Sequence, residues 1–160
     1  MCIRCDPGVM LERKNIRRTK NRLLVLDIVS RAGEPVTAAE IILKAKERAA
    51  GPVVNRVTIY RILELLSSGG VLNRLAAPDH VDRYCLAENE NHPSHSHFYC
   101  HCCGKMDCLE RQSAPISILD SEGLQFGRVD DVQVLINGVC RRCLKREKSS
   151  GVKSRVTGSS

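Results

Sequence analysis

Between residues 19 and 32 the apolar positions fall at helical spacing: Leu23, Val25, Leu26, Ile28, Val29 and Ala32 sit among polar neighbours. This predicts a helix over 19–32 that Gly33 stops. Pro35-Val-Thr37 opens the next unit, and Thr37-Ala-Ala-Glu40 has the spacing of a capping box, in which the Thr hydroxyl takes the N3 amide and Glu40 reaches back. Ile41, Ile42 and Ala45 continue a buried stripe to about residue 50, where Gly51-Pro52 breaks the chain. A third helix is predicted over 55–68, ended by Gly69-Gly70. At about 100° per residue, Ile59, Ile62, Leu63 and Leu66 share one side of it, and Val57, Tyr60, Arg61 and Glu64 the other. Two extended stretches, 71–76 and 81–87, follow around Ala77-Pro78-Asp79-His80 and read as a β-hairpin. Three helices and a hairpin are the layout of a winged helix-turn-helix, whose last helix enters the major groove while the hairpin rides the backbone.

The outer face of the third helix should be solvated, yet it carries one of the three Tyr of the chain beside an Arg. An Arg can take a guanine edge through two hydrogen bonds, and apolar groups can meet a thymine methyl. Tyr60 and Arg61 are therefore candidate DNA readers. Arg56 and Thr58 flank them near the helix N-terminus, where phosphate contacts are favoured. Charge points the same way. The net charge is +7, and residues 1–87 hold 15 Lys+Arg against 9 Asp+Glu. The excess is densest at Arg13, Lys14, Arg17, Arg18, Lys20 and Arg22, a run that meets no acid. Such a run attracts phosphate backbones and releases counterions on binding. On charge alone a plain solvated helix face remains the alternative.

Cysteine is distributed the other way: seven of nine Cys, and four of five His, lie after Asp82. Cys100-x-x-Cys103 and Cys140-x-x-Cys143 are two knuckles 36 residues apart. Each turns two thiolates toward one point, and together they complete a tetrahedral S4 shell suited to Zn²⁺. A four-Cys shell has no open position, so its role is structural. The long gap must hold structure: strands over 108–111 and 132–136 and a short helix over 114–121 are predicted. Cys85, His95, His97 and Cys108 remain, with both imidazoles of His95-x-His97 on one face of an extended segment. They can form a second, Cys2His2 shell, or be surface His and small buried Cys; spacing alone leaves both open. Cys102 reads as a bystander, Cys2-x-x-Cys5 stays unassigned, and His80, His92 and His101 are ambiguous.

With 160 residues, 42% hydrophobic and 27% charged, the composition is globular. No apolar run approaches the ~18 residues of a membrane span. Met1-Cys-Ile-Arg-Cys5 lacks the layout of a secretion signal, which points to a cytoplasmic, reducing setting where clustered Cys bind metal. No nucleophile–base set stands out, against an enzyme. With 3% aromatic residues and no Trp, two small domains stiffened by metal are expected. The expected organisation is a DNA-binding domain over 1–87, a hinge over 88–93, a metal-binding domain over 94–148 and a disordered tail over 149–160.

Taken in order, Arg18-Thr-Lys-Asn-Arg22, Val36-Thr-Ala-Ala-Glu-Ile41, Val57-Thr-Ile-Tyr-Arg-Ile-Leu63, Asp82-Arg-Tyr84, His95-Ser-His-Phe-Tyr-Cys-His-Cys-Cys-Gly-Lys105 and Gly138-Val-Cys-Arg-Arg-Cys143 resemble the ferric-uptake-regulator family of bacterial metalloregulators. The resemblance spans roughly residues 15–145. It implies an α+β fold: a winged-helix domain, a hinge, and a small α/β dimerisation domain with structural zinc. It implies a homodimer that binds palindromic double-stranded operator DNA when metal-loaded. DNA reading falls to Thr58, Tyr60 and Arg61, and structural zinc to Cys100, Cys103, Cys140 and Cys143. The sensing site of the family maps to Cys85, His95, His97 and Cys108, with Cys at two positions usually acidic. Thiolates favour zinc over iron(II) or manganese(II). Pro35 stands where many members place a ligating His. The chain is thus most similar to the zinc-uptake branch, which implies a zinc-responsive repressor of zinc-acquisition genes. A peroxide, thiol or other-metal sensor on the same scaffold is an alternative. So is a zinc adaptor or metallochaperone without sequence-specific DNA binding.

Overall fold

The computed structural model describes residues 6–48, 54–93, 95–109 and 133–150. The first half comprises α1 (Pro7–Arg13), α2 (Lys20–Ala32), β1 (Val36–Thr37), α3 (Ala38–Glu47), α4 (Arg56–Ser68), β2 (Leu72–Leu75) and β3 (Arg83–Leu86). The local signals act as expected. Thr19 caps α2, and Gly33 ends it at φ +69°, a conformation that costs a residue with Cβ. Both arms of the Thr37–Glu40 capping box form, with Glu40 N donating to the Thr37 hydroxyl at 3.2 Å and Thr37 N to the Glu40 carboxylate at 2.7 Å. The Asn55 side chain accepts from Val57 N at 2.9 Å and starts α4. Ile59, Ile62, Leu63 and Leu66 are buried, while Val57 and Tyr60 stay exposed. Burying each such aliphatic side chain stabilises by about 1.5–3 kcal/mol.

Helix α1 was not among the expected elements. Seven residues containing Pro7 and Gly8 are too short to show periodicity, but Asp6 caps them and Leu11 enters the core. The basic run from Arg13 to Arg22 is consequently no single helix face. It passes from the end of α1 through a turn, with Asn15 at φ +54°, into the start of α2. The hairpin is antiparallel, Leu72 opposite Leu86 and Leu75 opposite Arg83, and β1 extends it to the order β1-β3-β2.

In the second half, β4 (Ser96–Cys100) is the middle strand between β5 (Met106–Leu109), antiparallel to it, and β6 (Leu135–Gly138), parallel to it; α5 (Arg141–Ser150) follows. The strand expected at 108–111 starts at Met106, and the one at 132–136 is displaced to Leu135–Gly138. Helix α5, which carries no core periodicity, runs to Ser150, past the tail boundary expected at 149. The helix expected at 114–121, Cys2 and Cys5, and residues 151–160 lie outside the described residues. No helix among the described residues is long and apolar enough to cross a membrane.

The boundary at 87/88 does not divide the packing. Leu75, Ala77 and Cys85 form one buried cluster with Tyr99 and Met106. The segment expected to be the hinge contains a closed turn: Asn89 and His92 exchange backbone hydrogen bonds of 2.8 and 3.0 Å.

Candidate metal centres and DNA-binding face

On α4, Arg56, Tyr60 and Arg61 are exposed and Thr58 is half-buried. Arg56, Arg61 and Lys20 make no ion pair among the described residues, so their charges face solvent. Arg18 is engaged with Glu12, and Arg22 donates to the Arg17 carbonyl at 2.7 Å. The outward face of α4 therefore keeps its hydrogen-bonding groups free, whereas part of the basic run is already tied down locally.

The two knuckles meet. Cys100 and Cys103 at the end of β4, and Cys140 and Cys143 around the start of α5, bring four sulfurs within 4.8 Å of one another. Cys103 and Cys140 are 3.9 Å apart, near the roughly 3.8 Å between two sulfurs on tetrahedral zinc. Burial raises the Cys100 thiol, but the amides of Cys140, Cys103 and Cys102 outweigh this and bring it down to about 6. The Cys140 amide donates to its sulfur at 3.3 Å. Cys143, by contrast, is held well above the usual thiol range by burial and by the neighbouring sulfurs of Cys140, Cys102, Cys103 and Cys100. Four such thiols cannot all ionise without a cation among them. Cys102 is exposed and outside the group.

A second group joins the halves. Cys85 on β3, His95 just before β4 and His97 within it place their ligand atoms within 4.8 Å of one another. Cys85 Sγ and His97 Nε2 are 3.5 Å apart, about the separation of two donors on one tetrahedral zinc. His95 Nδ1 donates to the Pro93 carbonyl at 3.1 Å, which leaves Nε2 as the lone-pair nitrogen, buried and without a partner among the described residues. Cys108 lies outside this group of three, but it is the cross-strand partner of His97, on the same sheet face. Burial pushes Cys85 up to about 12 and Cys108 up to about 11, and pulls His97 down to about 4. The three gathered donors, one sulfur and two imidazole nitrogens, suit zinc, with Cys108 across the strand as a further sulfur nearby. His92, ambiguous in the sequence, sits edge-on to His95 at 4.7 Å with its Nε2 also buried and unpartnered. Only the turn at 89–92 brings it there, and no spacing rule signals that. His80 and His101 are exposed and belong to neither group, although His101 lies within the first knuckle.

A winged-helix reader packed on a sheet that gathers soft donors is the architecture of a metal-responsive transcriptional regulator. The chain belongs to the ferric uptake regulator family, whose model matches residues 13–123. Members of this family are transcriptional regulators, not enzymes. The transcriptional regulator FurA of Mycobacterium tuberculosis is 28% identical over 141 residues, covering 86% of this chain and 90% of that protein. Among solved structures, the Vibrio cholerae ferric uptake regulator superposes with a TM-score of 0.62 at 17% identity, covering 84% of this chain and 100% of its own. A zinc uptake regulator complexed with zinc and DNA gives 0.57 at 22% identity, covering 88% and 92%. These likenesses establish the winged-helix and dimerisation architecture.

Proposed function

We propose that this regulator senses zinc: a cytoplasmic homodimer that binds palindromic operator DNA when zinc-loaded and represses zinc-acquisition genes. The observation that carries the reading is the Cys85–His97 approach of 3.5 Å across the two halves, in a donor set containing sulfur. Iron(II) and manganese(II) sites favour oxygen and nitrogen, whereas thiolate favours zinc. The fold of a zinc uptake regulator bound to zinc and DNA is consistent with it.

In this reading residues 1–87 read DNA, 88–93 form the hinge, 94–148 dimerise and 149–160 are a tail. Cys100, Cys103, Cys140 and Cys143 hold structural zinc. Cys85, His95, His97 and Cys108 hold the regulatory ion. A zinc ion there supplies bonds to both halves at once. The side chains do the rest. In the metal-free chain Cys85 is a neutral thiol packed with Leu75, Tyr99 and Met106. On loading it would give up its proton and add a metal bond to the packing that β3 already makes against β4. That fixes the spacing of two α4 helices in a dimer. The equilibrium moves only by the differential affinity of zinc for this arrangement.

Proton release gives a sign. Cys85 and Cys108 are both protonated at neutral pH in the metal-free chain, and each must lose a proton on loading. His97 is already neutral and adds none. Apparent zinc affinity should therefore fall about 100-fold for each unit that pH drops between roughly 8 and 6. Operator binding across a zinc titration at three pH values checks this, with iron(II) and manganese(II) titrations in parallel. A response to iron or manganese and none to zinc would overturn the reading.

Arg61→Ala tests the DNA half. A bidentate Arg–guanine contact is worth about 1–3 kcal/mol, so operator preference over random duplex should fall on the order of 10–100-fold while random-duplex affinity persists. Competition binding at fixed salt measures the ratio. An unchanged preference would remove Arg61 from readout, and no preference in the parent would favour an adaptor.

A further inference from the structure

Arg83 on β3 is 6% exposed, unusual for a charge, and its contacts run both within the wing and across to the second sheet. Its Nη1 donates to Asp79 Oδ1 and to the Val81 carbonyl, both at 3.0 Å. Its Nη2 donates to Asp79 Oδ2 and to the Gly104 carbonyl, both at 2.8 Å. Its guanidinium lies 5.3 Å from the ring centre of Tyr99 on β4. Asp79 and Val81 belong to the hairpin loop; Gly104 and Tyr99 frame the first knuckle. Gly104 stands at φ +70° with its carbonyl turned to the guanidinium, a backbone conformation that suits glycine. A second link runs parallel, from Lys105 Nζ to Glu34 at 3.0 Å. None of these contacts requires a metal.

Arg83 is two residues from Cys85, and the strand it clamps is the one that must present Cys85 to His95 and His97. A site whose donors come from two halves binds with an affinity reduced by the fraction of time those halves are aligned. A side chain that aligns them beforehand removes that reduction. We propose that Arg83 is a positioning residue for the hinge metal site: by fastening β3 to Tyr99 and Gly104 it holds Cys85 against the paired imidazoles before any ion arrives. The inference rests on the hinge-site reading above. It differs from a general stabilising role, which would lower melting temperature and leave the metal affinity of the folded protein untouched.

The test uses the full chain with its four-Cys site filled with zinc and the hinge titrated with cobalt(II), followed by thiolate-to-cobalt absorption. Cys85→Ser identifies the band by removing it. Arg83→Gln should bind cobalt at the hinge 10–100-fold more weakly, with zinc content and sedimentation unchanged. Arg83→Lys keeps the charge but loses the planar fork, so it should fall between. It also carries the test should the Gln variant fail to fold. Hydrogen exchange at residues 77–82 should quicken in both variants. Equal cobalt affinity in the parent and the folded variants would overturn the positioning role alone. No cobalt band in the parent would overturn the hinge-site reading and this inference with it.

Discussion

Cys85→Ser should abolish zinc-dependent operator binding and leave a folded dimer. Ser keeps the size of the side chain but not the soft sulfur, and its hydroxyl remains protonated where a thiol gives way to zinc. Moving a two-state equilibrium from 1:99 to 99:1 needs about a 10⁴-fold difference in affinity between the states. A shell that has lost its only donor from the DNA-binding half has no means of supplying it, because His95, His97 and Cys108 all belong to the other half. The fold should survive. Cys85 sits in a small cluster with Leu75, Ala77, Tyr99 and Met106, and burying a hydroxyl there costs about 1–3 kcal/mol. The main core of the DNA-binding half, from Leu11 to Leu86, does not include it. Operator binding with and without zinc, with circular dichroism and sedimentation as controls, decides the matter. A retained zinc response would remove Cys85 from the sensing site.

The parts of this architecture that were legible in the sequence are those whose information is local. Thr37 and Glu40 specify a helix start within four residues, and Gly33 a helix end within one. The faces of α4 follow from its own period. The two knuckles are legible because Cys-x-x-Cys is a local turn, and two of them imply each other across any gap. What escaped depends on distant partners. Helix α1 is too short for a period and is held by Leu11 in a core made by other helices. Arg83 reads as a surface charge until Asp79, Tyr99 and Gly104 are seen around it. His92 joins the histidine row only because a two-bond turn folds residues 89–92 back. Strand β6 runs to Gly138, two residues past the expected end at 136, because its pairing with His97–Cys100 on β4 is set by a partner distant in the sequence.

Cys143→Ser should unfold or dissociate the second half. Among the described residues of β4, β5 and β6, which are short strands, the buried apolar side chains are Tyr99 and Met106 beside the Cys100 thiol, with Phe98, Leu109 and Leu135 half-buried, so the four sulfurs stand at the centre of a small apolar cluster. Structural zinc in small domains contributes about 10–16 kcal/mol of apparent binding free energy, against about 5–15 kcal/mol for the net stability of a whole domain. Losing even part of that exceeds what the small apolar cluster can offset. Cys143 is the most exacting position of the four. It is 3% exposed in the first turn of α5, and its thiol is raised by burial and by its sulfur neighbours, so it ionises only with a cation in place. Ser at this position leaves three thiolates, a buried hydroxyl and an open ligand position. The expected readouts are loss of one zinc per chain, loss of β-signal in circular dichroism and a shift to monomer in sedimentation. The first half should keep its helices, because its core is built from α1 to α4 and β1 to β3 without any residue of the knuckles. A variant that stays dimeric and zinc-loaded would show that the apolar cluster, and not the four sulfurs, holds the second half together.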